Sequence, residues 1–220
     1  MNGGTARAVA AEFIGSLILF ATVVGSGVMA QRLAGGNDAV ALIGNTAATG
    51  AVLFVLITLL GAISGAHFNP AVTLLLGTRK RWLPFIAAQL LGGIIGVLIV
   101  HAMFDMPLIE HGTKIRTGIG QWIGEFVATF GLLFTIVVGS RQRPDAVPAL
   151  VALWIVAGYW FTSSTSFANP AITIARALTD SFAGIRPVDT PGFILAQFAG
   201  AWVAVRFANW LAPPTPIPSR

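Results

Sequence analysis

Charged residues are scarce in this chain, and cysteine is absent. Only 10% of the 220 residues are Asp, Glu, Lys or Arg, whereas 55% are hydrophobic. A soluble domain carries about 25% charged residues, so most of this surface is not expected to face water. The lack of cysteine excludes disulfides and thiolate metal sites. The three histidines are scattered along the chain, so neither a metal nor another cofactor is predicted.

Long apolar stretches dominate the chain, whose mean hydropathy is +0.82. Each is close to the roughly 20 residues that a helix needs to cross a bilayer. They cover residues 8–30, 39–62, 83–104, 119–139, 147–163 and 192–211. The alternating pattern of a membrane barrel is missing, and no cleavable signal peptide is recognised. The sequence therefore predicts an all-α protein in a lipid bilayer, and the net charge of +5 indicates membrane topology rather than nucleic-acid binding.

Two shorter apolar segments, residues 69–76 and 169–178, reach only part-way across a bilayer at 1.5 Å per residue. Both begin with Asn-Pro-Ala. Proline is well placed in the first turn of a helix, where its missing N–H costs nothing, and the asparagine before it is a favoured N-cap. The sequence predicts two half-helices that start inside the membrane.

The two halves of the chain match each other in three places. Glu12 corresponds to Glu125, Asn69 to Asn169 and Gln89 to Gln197, each within similar neighbours, at offsets of 113, 100 and 108 residues. Each half has three spans, an odd number, so the second half is expected to be inverted relative to the first.

This duplication predicts four regions: a first repeat at 1–104, a connecting loop at 105–118, a second repeat at 119–211 and a cytoplasmic tail at 212–220. Basic residues predominate on the side of the chain termini, which predicts both termini in the cytoplasm. On that side lie Arg7, Arg79, Lys80, Arg81, Arg141, Arg143 and Arg220, and on the other Arg32, Lys114, Arg116, Arg176 and Arg186.

Non-helical backbone within a membrane must line water or be buried in protein. The residues before each Asn-Pro-Ala box would be such backbone. Their carbonyls can accept hydrogen bonds from a hydroxylated solute, and the amides of Asn69 and Asn169 can donate. The predicted pore-lining backbone consists of Gly65, Ala66, His67, Ser164 and Thr165. The two half-helix N-termini place positive charge at the same depth, which opposes the passage of cations.

These motifs resemble those of the major intrinsic protein family, the aquaporins and aquaglyceroporins. The resemblance covers essentially the whole chain and rests on two boxes, Asn69-Pro70-Ala71 and Asn169-Pro170-Ala171, on inverted half-helices. It implies six transmembrane helices, two half-helices that meet at the midplane, and a homotetramer with one pore per subunit. It also implies that Glu12 and Glu125 accept hydrogen bonds from the re-entrant loops, although a proton relay is an alternative.

The chain departs from the family at the selectivity constriction. An arginine normally follows the second box, and here the position is Ile172. Counting without gaps puts the other constriction residues at Thr49, Ala157 (or Gly158) and Ser166. These small and aliphatic residues predict a wide opening, although Arg176, one turn after Ile172, could restore positive charge at the pore mouth.

The missing arginine resembles a bacterial subgroup often encoded with arsenic-resistance genes. The resemblance implies a passive channel in the bacterial inner membrane for water, glycerol-like polyols and undissociated arsenite. Glycerol facilitators often carry an aspartate where this chain has Thr173, which weakens a dedicated glycerol role. An orthodox water-selective aquaporin remains an alternative.

A secondary transporter also has inverted repeats, but only Glu12 and Glu125 could couple an ion. An enzyme is not expected, because the hydroxyl cluster at 163–166 has no histidine in the second half to activate it.

Overall fold

A computed structural model describes residues 3–214, and within them the chain is entirely helical apart from its connecting segments. Eight α-helices follow one another in this range: α1 Gly3–Leu33, α2 Asp38–Ser64, α3 Pro70–Leu76, α4 Arg79–Met103, α5 Ile119–Gln142, α6 Val147–Phe161, α7 Pro170–Arg176 and α8 Thr190–Leu211. Short 3-10 turns at Pro144–Ala146 and Pro187–Asp189 precede α6 and α8.

Six of the helices in the described range are long and apolar enough to cross a membrane, namely all except α3 and α7. Large apolar side chains are exposed on their outer faces, among them Leu59, Leu83, Leu153 and Leu195. In lipid such side chains need no further cover. The chain is therefore a multi-pass membrane protein, and the all-α fold class predicted from the sequence is confirmed.

Local sequence sets the ends of the half-helices. Asn69 and Asn169 have extended backbone, and the side-chain oxygen of each accepts a hydrogen bond from the amide two residues on, Ala71 and Ala171. Pro70 and Pro170 occupy the first turn of α3 and α7. This is the arrangement expected for an N-cap followed by proline, and it fixes where each half-helix begins.

Glycines allow the long helices of each half to pack closely. A Cβ added at Gly92 of α4 would collide with the carbonyl oxygen of Phe13 in α1. A Cβ added at Gly200 of α8 would collide in the same way with the carbonyl of Phe126 in α5. The α1–α4 and α5–α8 pairs therefore repeat one small-residue contact, as membrane helices commonly do.

Contacts between helix ends define two faces of the molecule. Arg141 at the end of α5 donates hydrogen bonds to the carbonyl of Ala212 and to the side-chain oxygen of Asn209, at the end of α8. This side of the molecule is here called the terminal face. The opposite, or loop, face carries segments 104–118 and 177–189, which are joined by bonds such as that from Thr113 Oγ1 to Asp180. The predicted tail at 212–220 lies on the terminal face as far as residue 214, and residues 215–220 lie outside the described range, as does the N-terminal pair 1–2.

Candidate transmembrane pore

The two Asn-Pro-Ala boxes meet inside the helix bundle. Asn69 Nδ2 donates to the carbonyl oxygen of Ala168 at 2.8 Å, and Asn169 Nδ2 donates to the carbonyl oxygen of Phe68 at 2.8 Å. Each asparagine thus caps its own half-helix with its oxygen and holds the opposite loop with its nitrogen. This reciprocal pair fixes the two half-helix N-termini against each other.

The loop before each box has an unusual and repeated backbone. Ala66 and Phe68 have φ of 49° and 48°, and their counterparts Ser166 and Ala168 have φ of 53° and 50°. Non-glycine residues rarely adopt this left-handed region, and each costs of order 1 kcal/mol or more. The same strain at positions 100 residues apart indicates that both loops are held in one functional conformation.

Several carbonyl groups of these loops accept no hydrogen bond from the described part of the chain. Among residues 3–214, no backbone or side-chain group donates to the carbonyls of Gly65, Ala66 or His67, nor to those of Ser166 or Phe167. Backbone carbonyls in a protein interior are normally satisfied. These groups are therefore available to water or to a hydroxylated solute.

A cavity of about 160 Å³ runs along both half-helices. It reaches from Leu76, the last residue of α3, to Arg176, the last residue of α7, and so passes both sides of the asparagine pair. One part of its wall consists of the re-entrant loops, and the other is apolar. The apolar lining consists of Leu19, Val23, Leu53, Ile57, Val72, Leu76, Leu132, Ile136, Val147, Val151, Ile155 and Ile172.

Glu12 supports the first re-entrant loop from behind. Its Oε1 accepts from Ser64 Oγ at 2.7 Å and from the His67 amide at 2.9 Å, and its Oε2 accepts from the Phe68 amide and Gln89 Nε2, both at 2.7 Å. The side chain is completely buried and does not line the cavity. Four donors to one carboxylate hold the loop in its strained form.

Glu125 repeats this arrangement in the second half. It accepts hydrogen bonds from the Phe167 and Ala168 amides at 2.8 and 2.9 Å and from Gln197 Nε2 at 2.5 Å. Gln197 also donates to Thr173, as Gln89 does to Thr73. Thr173 is therefore part of the support behind the loop and does not line the cavity.

The residues predicted for the constriction are only partly brought together. Thr49, Ser166 and Ile172 line the cavity on the loop-face side of the asparagines. Ala157 does not: it is exposed on the outer face of α6, which corrects the position obtained by counting without gaps. Gly158, the other position considered, packs against the Ser166 side chain.

Tyr159 takes the place assigned to Ala157. It is 3% exposed, lines the cavity and brings its hydroxyl within 3.4 Å of Thr49 Oγ1. It follows Ile155 by four residues and shares its helix face, whereas Ala157 is turned about 200° from Ile155 at 100° per residue. Sequence reasoning missed it, although a lone tyrosine within an apolar span was a usable signal.

Arg176 also lies in the cavity wall, where it is only 2% exposed. Its Nε donates to the carbonyl of Ala183 in the 177–189 segment. Its guanidinium carbon lies 3.3 Å from the centre of the Phe167 ring, a cation–π contact. The two terminal nitrogens have no acceptor among residues 3–214, so they can donate to the cavity contents.

Arg116, a residue that the sequence did not single out, enters the same region from the 104–118 segment. Its Nε donates to the Gly184 carbonyl at 2.9 Å, and its Nη1 donates to the Ser164 carbonyl at 3.2 Å and to Thr165 Oγ1 at 3.4 Å. Burial lowers its pKa to about 10, against the attraction of Glu125 and Tyr159, so Arg116 is a cation at neutral pH.

The second re-entrant loop therefore lines the cavity over a shorter stretch than predicted. Ser164 is buried with its carbonyl bound to Arg116, and Thr165 lines a separate cavity at the loop face. Gly65, Ala66 and His67 of the first loop do line the pore cavity. His67 contacts Thr73 Oγ1 at 3.1 Å and packs edge-on against Phe85, as a residue that anchors its loop.

Comparison with known proteins agrees with this geometry. A family description of the major intrinsic proteins matches residues 2–160, which is more than half of the chain. This chain belongs to the major intrinsic protein family. The resemblance drawn from its two boxes is thus confirmed for the family, and it follows that the protein is a channel and not an enzyme.

Individual relatives extend the match over the second half. The chain is 50% identical over 213 residues to the aquaglyceroporin AqpS of Rhizobium meliloti (strain 1021), covering 94% of this chain and 91% of the relative. It is 32% identical over 194 residues to aquaporin TIP1-1 of Zea mays, covering 80% and 76%. The protein is therefore a passive membrane channel for small neutral solutes.

A solved structure shares the fold. The X-ray structure of the aquaglyceroporin from Plasmodium falciparum superposes with a TM-score of 0.71 at 22% identity, covering 95% of this chain and 98% of that one. At this identity the likeness concerns the arrangement of the helices alone.

Proposed function

We propose that this channel passes glycerol-sized polyols and undissociated arsenite as well as water, through a pore with one polar and one apolar wall. The observation that carries the proposal is the lining itself. Unengaged carbonyls of two re-entrant loops face a wall of Leu, Ile and Val side chains.

A polyol matches such a lining better than water does. Its hydroxyls can donate to the carbonyls of residues 65–67 and 166–167, while its C–H groups rest against the apolar side chains. The hydrogen bonds that the polyol gives up on leaving water are replaced along the wall formed by the re-entrant loops. A water-selective pore would need no apolar wall of this extent, so the lining favours the aquaglyceroporin type over the orthodox water channel.

Electrostatics favour neutral solutes. No acidic side chain of the described residues lines the cavity, whereas Arg176 does. The N-termini of α3 and α7 meet at the asparagine pair, and each carries roughly half a positive charge. Cations and protons therefore meet an electrostatic barrier at two depths, at Arg176 and at the asparagine pair. The lack of an acid in the lining also speaks against an ion-coupled transporter.

The constriction proposed here consists of Thr49, Tyr159, Ser166, Ile172 and Arg176. Tyr159 and Arg176 occupy space that the predicted set of small residues left open. The opening is accordingly narrower and more polar than the sequence indicated, but the position directly after the second box remains an aliphatic side chain. Arg176 supplies guanidinium donors one turn farther toward the loop face, which partly replaces the arginine missing at Ile172.

The arsenite part of the proposal rests on chemistry and on the sequence resemblance. Undissociated arsenite is a neutral trihydroxide, and it offers three hydroxyl donors as glycerol does. The sequence from Asn169 to Arg176, with isoleucine after the box, resembles that of channels encoded with arsenic-resistance genes.

The surroundings of the pore are proposed in the same way. We place the terminal face in the cytoplasm of a bacterial cell, the pore repeats at 1–104 and 119–211, and four copies of the chain in one assembly. Support comes from the basic cluster Arg79–Arg81 on the terminal face and from the tetrameric habit of the family. Protease protection of the terminal face tests the orientation, and native mass spectrometry tests the number of copies in the assembly.

Flux measurements test the main proposal. Purified protein in proteoliposomes should accelerate the entry of water, glycerol and arsenite, measured by stopped-flow light scattering and by arsenic uptake. Flux should be non-saturating and independent of a proton or sodium gradient. Fast water flux without glycerol or arsenite entry would reject the polyol pore, and gradient-dependent saturable uptake would reject the passive channel.

A further inference from the structure

A second cavity of about 220 Å³ lies at the loop face, between the 104–118 segment and the end of α7. It adjoins the pore because Arg176 lines both cavities. Its wall contains three cationic side chains and several polar ones. The lining consists of Leu42, Asn45, Lys114, Ile115, Arg116, Gln121, Ser163, Thr165, Arg176 and Phe182.

The three cations of this wall form no ion pair with any described residue. Ion pairs within residues 3–214 join Arg143 to Asp145 and Arg186 to Asp189, and neither involves Lys114, Arg116 or Arg176. Two acids act on them from outside the lining, Asp38 on Lys114 and Glu125 on both arginines. Tyr159 also faces the two arginines.

Glu125 forms no ion pair with either arginine, and its oxygens accept from the Phe167 and Ala168 amides and from Gln197. Buried guanidinium groups without a paired carboxylate are costly in a protein. The arrangement therefore carries positive charge that no ion pair of the described residues neutralises.

Donors of these cations remain free and accessible. Arg116 uses Nε and Nη1, which leaves Nη2 without a protein acceptor among the described residues. Arg176 uses Nε alone. Lys114 Nζ makes one bond, at 3.3 Å to the Phe182 carbonyl, and lies 4.7 Å from the centre of the Phe182 ring. The unused nitrogens are not among the fully enclosed polar atoms of the structure, so they border open space.

Gln121 lies in the same wall but offers no acceptor to the cavity. Its Nε2 donates to the Ser163 carbonyl at 2.8 Å, and its Oε1 is enclosed by protein. No acidic side chain of the described residues lines the cavity. The charged groups that face it are therefore all cationic donors, which favour an anion with several acceptor oxygens.

We infer that this second cavity binds a small tetrahedral oxyanion such as inorganic phosphate. Its oxygens accept from Lys114, Arg116 and Arg176. Charge-assisted bonds from Arg and Lys are the usual means of holding phosphate. Sulfate has the same shape and can also accept from these three cations.

Isothermal titration calorimetry of the full chain in detergent, with inorganic phosphate in a low-chloride buffer at pH 7, tests the inference without any flux assay. One saturable site per chain is expected, and sulfate should compete for it. Lys114→Gln should weaken phosphate binding about tenfold or more, through the loss of a charge-assisted bond. Arg32→Gln is the matched control, because Arg32 lies on the same face over Phe104 and outside the cavity.

A wild-type protein that gives no saturable phosphate heat overturns the inference, as does phosphate binding that survives Lys114→Gln or falls equally in Arg32→Gln. Since the readout is binding, these results are independent of which solutes pass through the pore.

Discussion

Asn69 and Asn169 each hold the loop that leads to the other, through amide-to-carbonyl bonds of 2.8 Å to Ala168 and Phe68. The two side chains do not need to touch in order to depend on each other. Removing one of them frees the N-terminus of its own half-helix and also releases the opposite re-entrant loop.

Asn69→Ala should therefore cost more than an ordinary helix cap. The cap contributes about 1 kcal/mol and the bond to the second loop about 1 kcal/mol more, so the melting temperature in detergent should fall clearly. Asn37→Ala is the control, because Asn37 caps α2 at the surface with no bond to another loop. Equal losses in the two variants would contradict the cross-loop role.

Tyr159→Ala should raise the upper size limit of the solutes that enter the pore. The phenol ring occupies the cavity beside Thr49, and its removal leaves space for polyols longer than glycerol. Light scattering with a series from glycerol to sorbitol measures the limit. Ala157→Val, on the outer face of the same helix, should leave the limit unchanged. If Ala157→Val changed this size limit and Tyr159→Ala did not, Ala157 and not Tyr159 would belong to the constriction.

Ile172→Arg should narrow the pore. The new guanidinium would lie one helical turn from Arg176, about 6 Å along the axis, and would replace an apolar wall with a large cation. Glycerol flux should fall roughly tenfold, equivalent to about 1.4 kcal/mol in the barrier, with a smaller change in water flux. An unchanged ratio of glycerol to water flux would mean that Ile172 does not line the constriction.

Glu12→Gln should destabilise the protein without changing its proton permeability. The four groups that reach Glu12 are all donors, and the amide NH₂ of glutamine would face some of them. A buried donor without an acceptor costs about 1–3 kcal/mol. Thermal unfolding measures the loss, and a pH-sensitive dye inside liposomes measures proton leakage. A stable variant with altered proton leakage would favour the relay alternative.

Lys114 should react with amine reagents at unusually low pH. Partial burial, and then repulsion by Arg116 and Arg176, lowers its pKa to about 8, while Asp38 acts in the opposite direction. An amine reacts in its unprotonated form, so about half of Lys114 is reactive at pH 8 and the rate should level off above it. Lys80, the other lysine of the chain, provides the internal reference.

Mass spectrometry of the labelled peptides gives both rates in one sample. Phosphate should slow the labelling of Lys114 and leave Lys80 unaffected, if the anion occupies the second cavity. A Lys114 rate that keeps rising well above pH 8 would contradict the lowered pKa.

Much of the fold could be predicted because lipid imposes simple rules on sequence. Six apolar runs became six long helices, and the Asn-Pro pairs fixed the starts of α3 and α7 to the residue. The ends of the helices were less certain. The sequence predicted that the first span ends at residue 30 and the second half-helix at residue 178, whereas α1 continues to Leu33 and α7 ends at Arg176. Charged and small residues near a helix end do not show where the helix stops.

The site was less accessible to sequence reasoning, for two physical reasons. Which face of α6 turns inward depends on how the helix packs, and a shift of two residues exchanged exposed Ala157 for buried Tyr159. Arg116 belongs to a loop, and its position beneath the 177–189 segment depends on bonds to Gly184 and Ser164 that are distant in sequence.

The reciprocal asparagine bonds also impose an order on biogenesis. The acceptor of Asn69 is made 99 residues later in the chain, so the first half-helix can complete its tip only after the second re-entrant segment has left the ribosome. Until then the strained 65–69 loop relies on contacts within the first repeat, such as those of Glu12 with the His67 and Phe68 amides. Closure of the conducting path thus waits for the second repeat, and a nascent chain halted before residue 168 would hold α1 to α6 without a complete pore.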